Sequence, residues 1–124
     1  MTHHTSNSPD CIFCKIAAKA APADIVYESD NTLFFRDINP KAAVHVVAIP
    51  KIHLNSLKDV DNTNQNIMGK LISDIAQVAK QQGLAADGYR VITNIGINAG
   101  QEVDHLHWHI LGGETLGPLN TKSK

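Results

Sequence analysis

Residues 104–113 read DHLHWHILGG, placing His105, His107 and His109 at every second position with Leu106, Trp108 and Ile110 between them. Side chains of an extended chain alternate between faces, so the imidazoles share one face and the large apolar groups share the other. A single histidine in a strand is most often structural. Three on one face behave differently, because each charged ring disfavours charging of the next and the stripe therefore favours neutral imidazoles. A neutral imidazole attacks an electrophile or ligates a metal. Two chemistries follow: a three-histidine catalytic metal centre, and nucleophilic catalysis by one histidine with its neighbours assisting. For phosphoryl or nucleotidyl transfer the flanked His107 is the natural nucleophile, with one ring nitrogen attacking phosphorus and the other donating its proton to an acceptor that fixes the tautomer. Gly112 and Gly113 after the stripe, and Asn98-Ala99-Gly100 before it, offer low bulk and backbone N–H groups where a phosphate can approach. They lack the spacing of a P-loop or a dinucleotide-binding fingerprint.

The chain has two cysteines, Cys11 and Cys14, in a C-x-x-C. This spacing lets two thiolates reach one ion, so it reads as half of a tetrahedral zinc site. His53 and His105 are candidates for the remaining ligands. A redox pair is the rival, but the motif precedes every expected strand and lacks an upstream βαβ setting. Two plain buried thiols are the third reading. His45 reads as a structural strand histidine, and His3 and His4 in the polar tail are given no role.

These groups need elements to hold them. CIFCKIAAKA, residues 11–20, has helical character, with Ile12 and Ile16 on one face and Pro22 as the stop. Residues 23–29 and 31–38 are rich in β-branched and aromatic side chains and predict a hairpin, and residues 43–50 a third strand ending at Pro50. The stripe Ile67, Leu71, Ile75 and Ala79, widened by Met68, Ile72 and Ala76, predicts a long helix over roughly 62–82, capped by Asp61 or Asn62 and ended by Gly83. Gly69 interrupts it, for close packing or for no structural reason. Residues 89–94 and 104–111 complete the set as fourth and fifth strands. The order predicts an α+β domain with a mainly antiparallel sheet.

At 124 residues the chain suits one domain, placed here at 11–119 between polar tails at 1–10, read as disordered, and 120–124. With 43% hydrophobic and 19% charged residues and a net charge of −1, it reads as globular, without the basic surplus of a nucleic-acid binder. No apolar run approaches the length needed to cross a bilayer and the N-terminus has no apolar signal core, so the expected compartment is the cytosol.

The segments CIFCKI, PADIVYE, FFRDINPKA, HVVAIPKIH, DGYRVITN, GQEVDHLHWHILGG and LGPL occur in an order that resembles the histidine-triad family, in particular its HINT-like branch of purine nucleoside phosphoramidate hydrolases. The resemblance runs from Cys11 to Leu119. It implies a HIT-like fold, a five-stranded sheet with a short N-terminal helix and one long helix, continued across a homodimer. It implies that His107 forms a nucleotidyl-histidine intermediate, with His109 and His105 shaping the polar network. His53 matches the upstream histidine beside the leaving group or the metal, according to subgroup. Asp37 resembles the ribose-binding carboxylate, Phe13 and Ile38 parts of the base pocket, and Asn94, Gln101 and Glu102 the polar residues around the nucleotide. Subgroups with the C-x-x-C place structural zinc on positions matching Cys11, Cys14, His53 and His105, and require no catalytic metal. The chain departs from relatives at Glu102, where some have serine, at Glu114, where bacterial proteins often have arginine, and in a tail without the tryptophan that some carry. The rivals are a dinucleoside polyphosphate hydrolase, a nucleotide-binding protein with little turnover, and a carbonic-anhydrase-like metal enzyme; a uridylyltransferase resembles H-x-H-x-Q, and here the third position is His109.

Overall fold

A computed structural model describes residues 10–120; the polar tails at 1–9 and 121–124 lie outside the described residues. Helix α1 covers Ile12–Ala17, then β1 (Ile25–Glu28), β2 (Thr32–Arg36) and β3 (Val44–Pro50), helix α2 (Gln65–Gln81), and β4 (Tyr89–Ile92) and β5 (Trp108–Gly112). The five strands form one antiparallel sheet in the order β1-β2-β3-β5-β4. The expected α+β architecture is borne out.

Both sheet faces are apolar, which explains why β3 is a near-continuous hydrophobic run. Phe34, Val46, Ala48, Leu106, Trp108 and Ile110 pack against Leu71, Ile75 and Val78 of α2. On the opposite face Leu33, Phe35, Val47 and Ile49 meet Ile16 of α1, with Phe13 and Ala17 beside them.

Several boundaries differ from the sequence expectation. Helix α1 stops well before Pro22: Ala20 N–H donates to the Lys15 carbonyl at 2.7 Å, and Lys19 takes a left-handed φ of 64°. Helix α2 starts at Gln65 because Asp61 and Asn64 serve a preceding turn, where Asp61 Oδ1 accepts from Thr63 N–H and Asn64 Oδ1 from Asp61 N–H, each at 2.9 Å. Ile72 and Ala76 face solvent, whereas Asp74 and Val78 are buried. Asp74 is tolerated there because Thr32 Oγ1 donates to it at 2.8 Å, Lys70 Nζ at 2.7 Å and Tyr27 Oη at 3.3 Å. Gly83 ends the helix at φ 78°, as expected, and nothing lies within 4 Å of a side chain built at Gly69. Strand β5 begins only at Trp108, because the β3 pairing closes at Ala48 opposite Trp108 and Leu106 N–H turns instead to the Leu54 carbonyl.

Candidate active site

The alternation of the histidine stripe survives even though His105 and His107 precede the regular strand. Leu106, Trp108 and Ile110 enter the α2-side core, and the imidazoles face the α1 side. The stripe is then divided. His105 is fully buried, its Nδ1 3.3 Å from Cys11 Sγ and 3.5 Å from Cys14 Sγ, while His53 Nδ1 lies 3.1 Å from Cys14 Sγ. The donor atoms of Cys11, Cys14, His53 and His105 all lie within 4.8 Å of one another. Tetrahedral zinc, about 2.3 Å from sulfur and 2.0–2.1 Å from nitrogen, sets its donors about 3.3–3.8 Å apart, so this cluster fits the ion. The other ring nitrogens are also committed. His105 Nε2 donates to the Pro50 carbonyl at 2.9 Å and His53 Nε2 lies 2.8 Å from Asn55 Oδ1, so each Nδ1 turns its lone pair to the thiols. The Pro50 carbonyl is available because β3 ends there.

His107 and His109 instead line a cavity of about 630 Å³ between α1 and the sheet. Ile12, Phe13, Ile16 and Phe35 give it an apolar end, and Asp37, Ile38, Lys41, Asn94, Gly100 and Glu102 also line it. Phe13 packs edge-on against His107 with ring centroids 5.1 Å apart. The expected nucleotide residues therefore converge, except Gln101, whose amide is spent on its own loop: Nε2 donates to the Asn55 and Val103 carbonyls and Oε1 accepts from Gly96 N–H. His53 and His105 sit in the thiol cluster rather than among the cavity-lining residues. Among the described residues, no group of converging donors joins all three triad histidines, which disfavours the three-histidine metal centre.

Hydrogen bonds fix the tautomers. His107 Nδ1 lies 2.7 Å from the His105 carbonyl, which can only accept, so the proton is on Nδ1 and Nε2 keeps its lone pair. Thr93 Oγ1 holds the His107 carbonyl at 2.7 Å. At the neighbouring ring, Lys41 N–H donates to His45 Nδ1 at 3.0 Å, which leaves the His45 proton on Nε2, 2.9 Å from His109 Nδ1. His109 must accept there and carry its own proton on Nε2. The site thus presents a nitrogen lone pair and an adjacent N–H on rings with centroids 5.0 Å apart.

Burial favours the neutral forms of His45, His105 and His109. Desolvation, aided by the nearby His107 and His45, pushes the His109 pKa down to about 4, and desolvation likewise brings His105 to about 4 against the opposing hydrogen bond to Pro50. His45 is also lowered, chiefly by burial, although Asp37 Oδ2 at 3.5 Å works the other way.

The HIT domain family model matches residues 18–116. The chain belongs to the HIT domain family. It is 44% identical over 110 residues to the purine nucleoside phosphoramidase of Escherichia coli K12, covering 89% of this chain and 92% of that protein. It is 41% identical over 113 residues to the adenylylsulfatase HINT1 of Arabidopsis thaliana, covering 90% of this chain and 76% of that protein. Among solved structures, a histidine triad protein from Clostridium difficile superposes with a TM-score of 0.88 at 43% identity, over 92% of this chain and 99% of that one.

Within this HIT domain two sequence readings are corrected. Gly112 and Gly113 are not beside the triad cavity: a side chain on Gly112 would meet Leu84 Cδ2 at 2.9 Å, and Gly113, at φ 82°, lies against Ala43 and Val44. They are packing glycines at the far end of β5. His45, read as structural, belongs to the site through His109. The available signal was its register, because His45 faces Leu111 and His109 faces Val47, making the two histidines diagonal neighbours on one face.

Proposed function

We propose that this chain hydrolyses purine nucleoside 5'-phosphoramidates, adenosine forms foremost, through a covalent nucleotidyl-histidine intermediate. The observation that carries this reading is the pair of fixed tautomers: an Nε2 lone pair on His107 beside an Nε2–H on His109, both lining a cavity with one apolar end. The name of the Escherichia coli relative supports the substrate class. In the first step His107 Nε2 attacks the α-phosphorus and the P–N bond breaks, with the departing nitrogen protonated by solvent. The positive charge that the nucleotidylated ring acquires is stabilised by the His105 carbonyl accepting from Nδ1–H, and His109 Nε2–H donates to a phosphate oxygen. Water then attacks phosphorus, releases the nucleoside 5'-monophosphate and restores His107. Asp37 would accept from ribose hydroxyls, while Phe13 and Ile38 cover the base.

Zinc on Cys11, Cys14, His53 and His105 would serve structure, tying α1 to the sheet, and the proposed chemistry needs no metal. We also assign a homodimer joined at the β4 edge. Its support is that β4 ends the sheet and exposes Tyr89 and Val91.

Rapid quenching followed by intact-mass measurement should detect a nucleotidyl adduct on His107. His107→Ala should lose at least about 10³-fold in turnover, in line with other removed nucleophiles. Undiminished turnover in that variant overturns the mechanism.

A further inference from the structure

We infer that Glu102 makes the site selective for leaving amines that carry a second positive charge, and against anionic leaving groups. This rests on the phosphoramidate reading and names the class of amine within it.

Three observations carry the inference. First, Glu102 lines the same cavity as His107, five residues before it in the chain, and its side chain is exposed. Second, the backbone on either side is held, since the Gln101 side chain bonds Gly96, Asn55 and Val103 at 2.6–3.0 Å. A fixed loop thus presents the carboxylate. Third, among the described residues Glu102 has no hydrogen bond or ion pair, whereas the other charged groups lining the cavity are engaged. Arg36 pairs with Asp24 at 3.2 Å, Asp37 accepts from Asn39 N–H at 2.8 Å, and Lys41 Nζ donates to the Asn39 carbonyl at 3.1 Å.

The engaged charges all lie on the segment 36–41, beside the apolar end that suits the base and the Asp37 carboxylate that suits the ribose. With the nucleoside there and phosphorus at His107, the leaving group must extend away from segment 36–41, toward the loop that contains Gly100 and Glu102. In-line displacement places that group opposite the attacking nitrogen, where its own charge meets an uncommitted carboxylate. A terminal ammonium is attracted, while a carboxylate or a departing phosphate is repelled.

The test uses adenosine 5'-phosphoramidates of three amines of similar length: a diamine with a terminal ammonium, a neutral hydroxyalkylamine and an ω-amino acid. Diadenosine tetraphosphate serves as the phosphate-leaving arm. Ratios of kcat/KM in wild type, divided by the same ratios in Glu102→Gln, cancel the intrinsic reactivity of each leaving group. Wild type should favour the ammonium over the neutral amine, and the neutral amine over the carboxylate, by about two- to fivefold per step, the size expected of an exposed ion pair. Measured against Glu102→Gln in this way, the preference should shrink as salt rises and invert in Glu102→Lys, which should also gain on diadenosine tetraphosphate. Turnover with the same ratios in wild type and Glu102→Gln overturns the role of Glu102 alone. No turnover of any amide in wild type overturns the phosphoramidate reading and this inference with it.

Discussion

The ring of His45 makes two hydrogen bonds that decide what His109 can donate. Lys41 N–H occupies one nitrogen, so the other must donate to His109 Nδ1 and leave the His109 proton on Nε2. His45→Ala should therefore free His109 to adopt the other tautomer, lowering kcat about 10²-fold with little change in KM, the pattern of a lost orienting group. Steady-state kinetics check this, and an unchanged kcat would remove His45 from the site. The depressed pKa of His109 has a separate consequence. Its ordinary value is 6.5 and its folded value about 4, so between these pH values the unfolded chain binds more protons than the native one. Stability contributed by the neutral ring is full above about pH 6.5 and is lost as pH falls toward 4. Thermal melts from pH 7.5 to 4.5 should show a shallower decline in His109→Gln than in wild type, and parallel slopes would contradict this.

At the level of elements, α1 has six residues and is too short to hold its conformation alone. It contributes Cys11 and Cys14 to the thiol cluster and Ile12, Phe13 and Ile16 to the cavity. The same short helix thus links the thiol cluster and the pocket, with Phe13 against both His105 and His107 at centroid distances of 5.9 and 5.1 Å. Purified protein should contain about one zinc per chain. Chelation should lower Tm by about 5–15 °C, the effect of losing a ligand specific to the native state, and should weaken binding of a purine nucleoside monophosphate. Elemental analysis of Cys11→Ser/Cys14→Ser, melting and titration calorimetry are the measurements. Zinc content unchanged in that double variant would rule out the clamp.

Over the whole molecule, the sheet has two outer edges, β1 and β4, and β4 exposes Tyr89 at 37% and Val91 at 40%. Pairing β4 with its symmetry mate would cover an unpaired backbone edge. Light scattering behind size exclusion should give twice the 13.5 kDa chain mass. Val91→Lys, which puts charge on that edge, should shift the protein toward the single-chain mass, and a wild-type mass of one chain would overturn the dimer. Among the described residues, no helix is long and apolar enough to cross a membrane.

Local patterns in the sequence determined the alternation of His105, His107 and His109 against Leu106, Trp108 and Ile110, the turn at Gly83, the number of strands and the cysteine pair, because period and composition act over a few neighbouring residues. The chain by itself also singled out His107, since only the central ring of the stripe has an imidazole on both sides. Tertiary structure decided the rest. Whether His105 turned to the triad or to the thiols depended on α1, 91 residues away at Cys14, folding over β3 and leaving its sulfur 3.5 Å from the ring. Whether His45 was a core histidine or part of the site depended on the β3–β5 register. Asp74 belonged to a buried network only once α2 lay on β2. Long-range contacts set which ring nitrogen carries a proton and which groups lose water, and those two quantities divide the three histidines into one ring with an open Nε2 lone pair, one with an Nε2–H, and one turned to the thiols.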